Sequence, residues 1–162
     1  MTESELAEAV GSTFEHMSVY EAIDLQLQRV ALVYSSEEQL LIAITIYLTL
    51  VSAFLAAAYV GGSSLNRAQT LIGSAIFTVA SSYLTLTITW ILMGINFQRW
   101  AIGLQYQQMA EQYGRPDWVE FGQSFQLDGR LAWGDYVIIG LLIGGILSSL
   151  YFMWSIRHSK TK

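Results

Sequence analysis

Three long stretches of this chain carry no charged residue: 39–66, 68–98 and 136–156. Each exceeds the eighteen or so uncharged, apolar residues a helix needs to cross a bilayer. The chain's one proline, Pro116, lies outside all three. The pattern predicts an all-α integral membrane protein with three transmembrane helices, at about 40–60, 71–95 and 136–155.

The middle stretch is apolar but not uniform. Seven of the residues in 71–95 are Ser or Thr. Six of them (Ser74, Thr78, Ser81, Ser82, Thr85 and Thr89) fall within an arc of roughly 100° at the helical period, and Thr87 points away. The first stretch has a matching line, Thr45, Thr49, Ser52 and Ala56, within roughly 60°. The connector over 61–70 is short, so these two spans form an antiparallel hairpin. Their seams are expected to face each other, because small and hydroxylated residues allow close backbone approach. The third stretch carries Gly140, Gly144 and Ser148 at small-xxx-small spacing, which suits helix packing within one subunit or between subunits. The same hydroxyl line on the second span would also suit the lining of an oligomeric pore.

Helical patterning continues past Ile95. Residues 96–113 contain no proline, and Phe97, Trp100 and Leu104 lie on one side. A helix from 71 to 112 would be roughly 60 Å long, about twice the ~30 Å hydrocarbon layer. The second helix is therefore expected to extend beyond the bilayer to about 112, projecting or bending shallowly at Gly94 or Gly103, until Gly114-Arg115-Pro116 stops it. In the following loop, Trp118, Phe121 and Phe125 are spaced for one face of a short helix. With Phe97, Trp100 and Leu104 they form a candidate partner surface, lid or interfacial anchor. Trp133, Tyr136, Tyr151 and Trp154 supply an aromatic anchor at each end of the third span.

Ahead of the first span, two capping boxes, Thr2-x-x-Glu5 and Ser18-x-x-Glu21, predict two short amphipathic helices. Ile23, Leu27, Val30 and Tyr34 form the apolar stripe of the second. Ser35-Ser36-Glu37-Glu38-Gln39 reads as a third start signal, at which the first span begins afresh. The expected organisation is thus an acidic N-terminal region, 1–35, followed by a three-helix membrane domain, 36–162, with an extramembrane helix and aromatic loop at 96–135. Ala56-Ala57-Ala58 resembles a signal cleavage site, but the acidic region ahead of it is the wrong kind of leader.

Composition narrows the chemistry. Charged residues make up 13% of the chain, about half the usual share. There is no cysteine, and His16 and His158 sit in opposite tails, so no metal or cofactor site is expected. Eight carboxylates against Arg29 alone in residues 1–39 argue against nucleic acid as a partner. Arg157, Lys160 and Lys162 crowd the other end. Applied close to the spans, the positive-inside rule leans towards a cytoplasmic C-terminus and an outside N-terminus in a plasma (inner) membrane.

No span contains an ionisable residue, which removes the usual equipment of a coupled transporter. Glu111, Asp117, Glu120, Asp128 and Asp135 show no nucleophile–base or metal-ligand spacing, so no catalytic residue and no small-molecule substrate is expected. The reading is a non-catalytic assembly or scaffold subunit whose partners are the lipid bilayer, further copies of itself or other membrane proteins. The alternative is an oligomeric pore-forming or membrane-disrupting protein; its three spans, outside N-terminus and basic inside tail resemble the topology of some phage holins. A third reading is a sensor or regulator signalling through the aromatic loop.

Overall fold

The computed structural model describes residues 17–61, 64–125 and 131–159, with side chains up to Ile156. Four helices account for nearly all of these: α1 (Val19–Gly61), α2 (Arg67–Tyr113), α3 (Asp117–Gln123) and α4 (Trp133–Ser159). There is no strand among the described residues. Helices α1, α2 and α4 are each long and apolar enough to cross a membrane. The expected first short helix, Asp128 and the basic side chains of Arg157, Lys160 and Lys162 lie outside the described residues.

Helix α1 begins where the sequence predicts. The Ser18 backbone N–H and hydroxyl both donate to the Glu21 carboxylate at 2.8 Å, and the Glu21 N–H returns to the Ser18 hydroxyl at 3.4 Å. These bonds to Ser18 hold the Glu21 carboxyl below its ordinary range. The helix then departs from expectation, because the predicted restart at Ser35–Gln39 does not occur. The chain runs helical through it, making α1 43 residues long, about 65 Å at 1.5 Å per residue. Nothing between Val19 and Val60 breaks a helix, as neither glycine nor proline occurs there. The Ser36 hydroxyl donates back to the Leu32 carbonyl at 2.9 Å instead of capping a new start. The second expected short helix and the first span are therefore one element.

Helix α2 starts four residues before the apolar run. The Asn66 side chain accepts from the Gln69 N–H at 2.9 Å, and the Gln69 side chain accepts from the Asn66 N–H at 3.0 Å, a reciprocal cap. It ends as predicted at Gly114, whose φ of 63° is the left-handed conformation that favours glycine. The Arg115 N–H then reaches back to the Ala110 carbonyl at 3.0 Å, closing a Schellman motif. At 47 residues α2 is unbroken through both Gly94 and Gly103.

The chain divides into two units of discontinuous sequence. One takes the residues up to Glu38 together with Leu92–Ala132; the other takes Gln39–Ile91 and the residues from Trp133 on. In the first unit the leading half of α1 lies against the trailing half of α2. Ala22 and Met109 are fully buried there, with Met17, Leu25, Tyr113 and Trp118 packed around them. Gln26 and Gln105, 1% and 2% exposed, join through a 2.8 Å hydrogen bond from Gln26 Nε2 to Gln105 Oε1. Arg99 pairs with Glu37, and the Tyr113 hydroxyl donates to the Met17 carbonyl at 2.8 Å.

This packing rotates α1 away from its expected face. Ile23, Leu27 and Tyr34, three members of the predicted stripe, are exposed, while Ala22, Gln26 and Val33 face inward. The reason is geometric. Ala22 admits close approach, and Gln26 donates to Gln105 where a periodic apolar reading would place neither.

Helix α3 is seated on α2 through paired glycines. A Cβ on Gly103 would lie 3.0 Å from the Gly122 carbonyl oxygen, and one on Gly122 would lie 2.9 Å from the Tyr106 Cβ. Backbone thus meets backbone, and Tyr106 is bracketed by Phe121 at 4.9 Å and Phe125 at 6.4 Å between ring centroids. Burial pushes the Tyr106 phenol above its ordinary pKa.

Candidate functional site

The second unit holds the predicted seams, and its three helix segments sort them into two environments. The closest aromatic contact joins α1 to α2, with Phe54 and Phe77 stacked at 3.9 Å between centroids and 13° between planes. Helix α4 touches α2 where the Ser74 hydroxyl meets Met153 Sδ at 3.5 Å. It touches α1 where the Tyr47 hydroxyl donates to the Leu142 carbonyl. Tyr47, 2% exposed, lies over Gly145, where a Cβ would come within 2.8 Å of the phenol oxygen. On α4, Gly145 is therefore the glycine that packing among the described residues requires.

On α2 the hydroxyl line faces inward. Ser74, Ser81 and Thr85 are buried, and Thr78 and Thr89 are half-buried. Each of these threonines, and Ser81, donates to the carbonyl one turn earlier: Thr78 to Ser74 at 2.7 Å, Ser81 to Phe77 at 2.5 Å, Thr85 to Ser81 at 2.9 Å, Thr89 to Thr85 at 2.8 Å. Hydroxyls paired within their own helix act towards neighbours as small apolar groups. Replacing Thr85 with Val, which keeps the shape and removes the donor, should therefore cost less than about 1 kcal/mol. Unfolding in detergent, followed by circular dichroism, measures this directly.

On α1 the expected match is absent. Thr45, Thr49 and Ser52 are exposed, on the side opposite Ala43, Tyr47 and Ala58, which are buried. Thr45 and Thr49 also bond back, to Leu41 and Thr45, both at 2.8 Å. The two seams do not face each other; the Phe54–Phe77 stack and Tyr47 occupy the inward side of α1 instead. On α4 the small-xxx-small residues Gly140, Gly144 and Ser148 are likewise exposed. A Cβ at either glycine would meet nothing within 4 Å, and the Ser148 hydroxyl returns to the Gly144 carbonyl at 2.6 Å. The inward side of α4 is Leu142, Ile146, Ser149 and Met153. Two lines of small residues, one on α1 and one on α4, are thus left uncovered among the described residues.

The aromatic candidates in the first unit divide differently. Phe97 and Phe121 are exposed, whereas Trp100, Leu104, Trp118 and Phe125 are half-buried. Trp118 packs edge-on against Tyr113 at 6.2 Å, with the Arg115 guanidinium 5.1 Å from its ring centre. Arg115 is also doubly bonded to Asp117 at 2.8 and 3.0 Å, which raises the arginine pKa and lowers that of the aspartate. The loop aromatics are therefore largely turned onto α2.

Among the described residues no group of three or more His, Asp or Glu side chains is arranged to hold a metal ion. The residues missed by sequence reasoning are Gln26, Gln105, Tyr47, Gly145 and the Asn66–Gln69 cap. The last had a local signal, a capping residue three positions before a glutamine. The others are defined only by long-range contacts. Compared with known proteins, the chain matches no family model, no curated protein and no solved structure.

Proposed function

We propose that this protein is a non-catalytic, multi-span membrane protein that acts as an assembly or scaffold subunit of a homo- or hetero-oligomeric membrane complex. Helices α1, α2 and α4 cross the bilayer, and the trailing part of α2 and the leading part of α1 extend beyond it. The observation that carries the reading is the outward placement of two small-residue lines. Among the described residues, Gly140 and Gly144 on α4 meet nothing at the Cβ position, and Thr45 and Thr49 on α1 are exposed and bond only back within their own helix. In lipid such a face gains its packing energy only against another helix, because acyl chains fill the shallow groove less well than a close-fitting backbone.

Ser74, Ser81 and Thr85 on α2 are buried, Ser74 against Met153 of α4 and the other two bonded back within α2, which favours a packing role over the lining of a water-filled opening. An inner-membrane location with the N-terminus outside fits the crowding of cations at the C-terminus.

Tryptophan substitution tests the reading. Gly144→Trp and Thr49→Trp should abolish the larger species seen by native electrophoresis in mild detergent. Leu86→Trp, on an exposed face of α2 away from both lines, should leave it intact. Equal tolerance at all three positions would defeat the proposal.

A further inference from the structure

The first unit has three described arginines, and two are neutralised. Arg99 pairs with Glu37, and Arg115 is held by Asp117 and Trp118. Arg29 is different. Among the described residues it has no carboxylate partner and no hydrogen bond, although it is half-buried. Desolvation lowers its pKa, which means the cation is being held in surroundings that do not compensate it. An incompletely solvated guanidinium with no counter-charge is costly, and is ordinarily matched by an anion.

The space beside it has the shape and lining for one. A cavity of about 200 Å3 is bounded by Arg29 at one side and by Leu32, Phe97, Ala101 and Ile102 as an apolar wall. Gln98 completes it, and its Oε1 is buried without a hydrogen-bond donor among the described residues. No carboxylate lines the cavity. The site therefore offers one cation, one unused acceptor and an apolar surface.

Its place along the helices bears on the ligand. Phe97 lies two residues, about 3 Å, beyond the 71–95 span on α2, and Leu32 and Arg29 lie eight and eleven residues, about 12 and 17 Å, before the 40–60 span on α1. The interfacial layer on each side of a bilayer's hydrocarbon core is about 5–8 Å thick. The cavity thus opens at headgroup depth on its α2 side and extends outward from there on its α1 side, given the reading above that α1 and α2 cross the membrane, on which this inference rests.

We infer that the Arg29 cavity is a binding site for an anionic phospholipid, with the phosphate on the Arg29 guanidinium, a headgroup hydroxyl donating to Gln98 Oε1, and the start of an acyl chain against Leu32, Phe97 and Ala101. A glycerol headgroup meets all three demands. A choline headgroup supplies the phosphate but no donor for Gln98, and it brings a second cation next to Arg29.

Native mass spectrometry of the full chain in detergent, titrated with dioleoyl phosphatidylglycerol, tests the site. The wild type should hold one phosphatidylglycerol at least about tenfold more tightly than Arg29→Gln, the equivalent of one charge-assisted contact. Arg29→Lys should recover part of the loss. Ala101→Phe, which fills the apolar wall and leaves the charge in place, should also expel the lipid. Dioleoyl phosphatidylcholine should bind more weakly than phosphatidylglycerol, and millimolar inorganic phosphate should not displace the bound lipid. Equal phosphatidylglycerol binding by wild type and Arg29→Gln would overturn the inference, as would displacement by inorganic phosphate, which would make the site one for a free anion. Resistance of wild type and Arg29→Gln to alkaline carbonate extraction from membranes is measured alongside. If both resist extraction yet bind lipid equally, the lipid site alone fails; if both are extracted, the membrane reading fails.

Discussion

Gly145→Leu should destabilise the protein by about 3 kcal/mol or more, while the same change at the adjacent Gly144 leaves the stability of the single chain nearly unchanged. The two glycines are neighbours in sequence and opposites in environment. A Cβ at Gly145 would come within 2.8 Å of the Tyr47 phenol oxygen, and at Gly144 it would meet nothing within 4 Å. Tyr47 cannot yield freely, being 2% exposed and bonded to the Leu142 carbonyl. Moving it leaves a phenol hydroxyl without an acceptor in apolar surroundings, which adds about 1–3 kcal/mol to an overpacking cost of similar size. Gly145→Ala should follow in the same direction with a smaller loss, partly offset by the better helix propensity of alanine. Unfolding of the three variants in one detergent, followed by helical circular dichroism, gives the comparison. Equal stability of the Gly144 and Gly145 leucine variants would contradict the contact.

The second large effect concerns the polar pair in the first unit. Gln105→Leu should cost about 2 kcal/mol, because it strands Gln26 in a site where that residue is 1% exposed. Gln26 Nε2 loses its 2.8 Å acceptor, and Gln26 Oε1 is already buried with no donor among the described residues. Changing both residues to Leu removes the stranded amide and should recover most of the loss. The double-mutant cycle should therefore be strongly non-additive, with the pair variant more stable than either single one. Additive losses would mean that the two side chains do not depend on each other. The pair also matters to register, since a Gln–Gln contact fixes which residue of α1 lies opposite which residue of α2 more sharply than interchangeable apolar contacts do.

These two contacts show why the elements were legible and their orientations were not. Spans are read from charge-free length, and helix ends from local signals such as Ser18-x-x-Glu21 and Gly114-Arg115-Pro116, all of which involve residues a few positions apart. Which face a spanning helix turns inward is another matter. In α1, α2 and α4 almost every side is apolar, so the period that marks a buried face in a water-soluble helix carries little information. Orientation is then settled by a few specific fits, Tyr47 over Gly145 and Phe54 against Phe77. Hydroxyl lines mislead for the same reason. Thr45 and Thr49 resemble Ser81 and Thr85 in sequence and in their backward hydrogen bonds, yet the first pair faces out and the second faces in.

The break expected at Ser35–Gln39 illustrates the reverse failure. Capping residues start a helix only where the preceding chain leaves N–H groups unpaired. Here the preceding helix already satisfies them, and Ser36 spends its hydroxyl on Leu32 while Glu37 pairs with Arg99. The consequence is functional as well as architectural. A 43-residue α1 lies beside the extension of α2 for much of its length in the first unit, so part of the surface expected for a partner is covered from within. Ile102, Gln105, Met109 and Ala110 are buried, and of the six aromatic and aliphatic candidates only Phe97 and Phe121 stay exposed. The uncovered lines of the second unit therefore become the better candidates for an assembly surface.

The most direct measurement is the mass of the complex taken from native membranes into lipid nanodiscs without detergent. As an assembly subunit, the protein should emerge in a particle whose protein mass exceeds that of one 18.1 kDa chain, and Gly144→Leu should reduce it to the single-chain mass while the helical content is preserved. A wild-type particle containing one chain and no other protein, or one whose mass is unchanged by Gly144→Leu, would contradict the account.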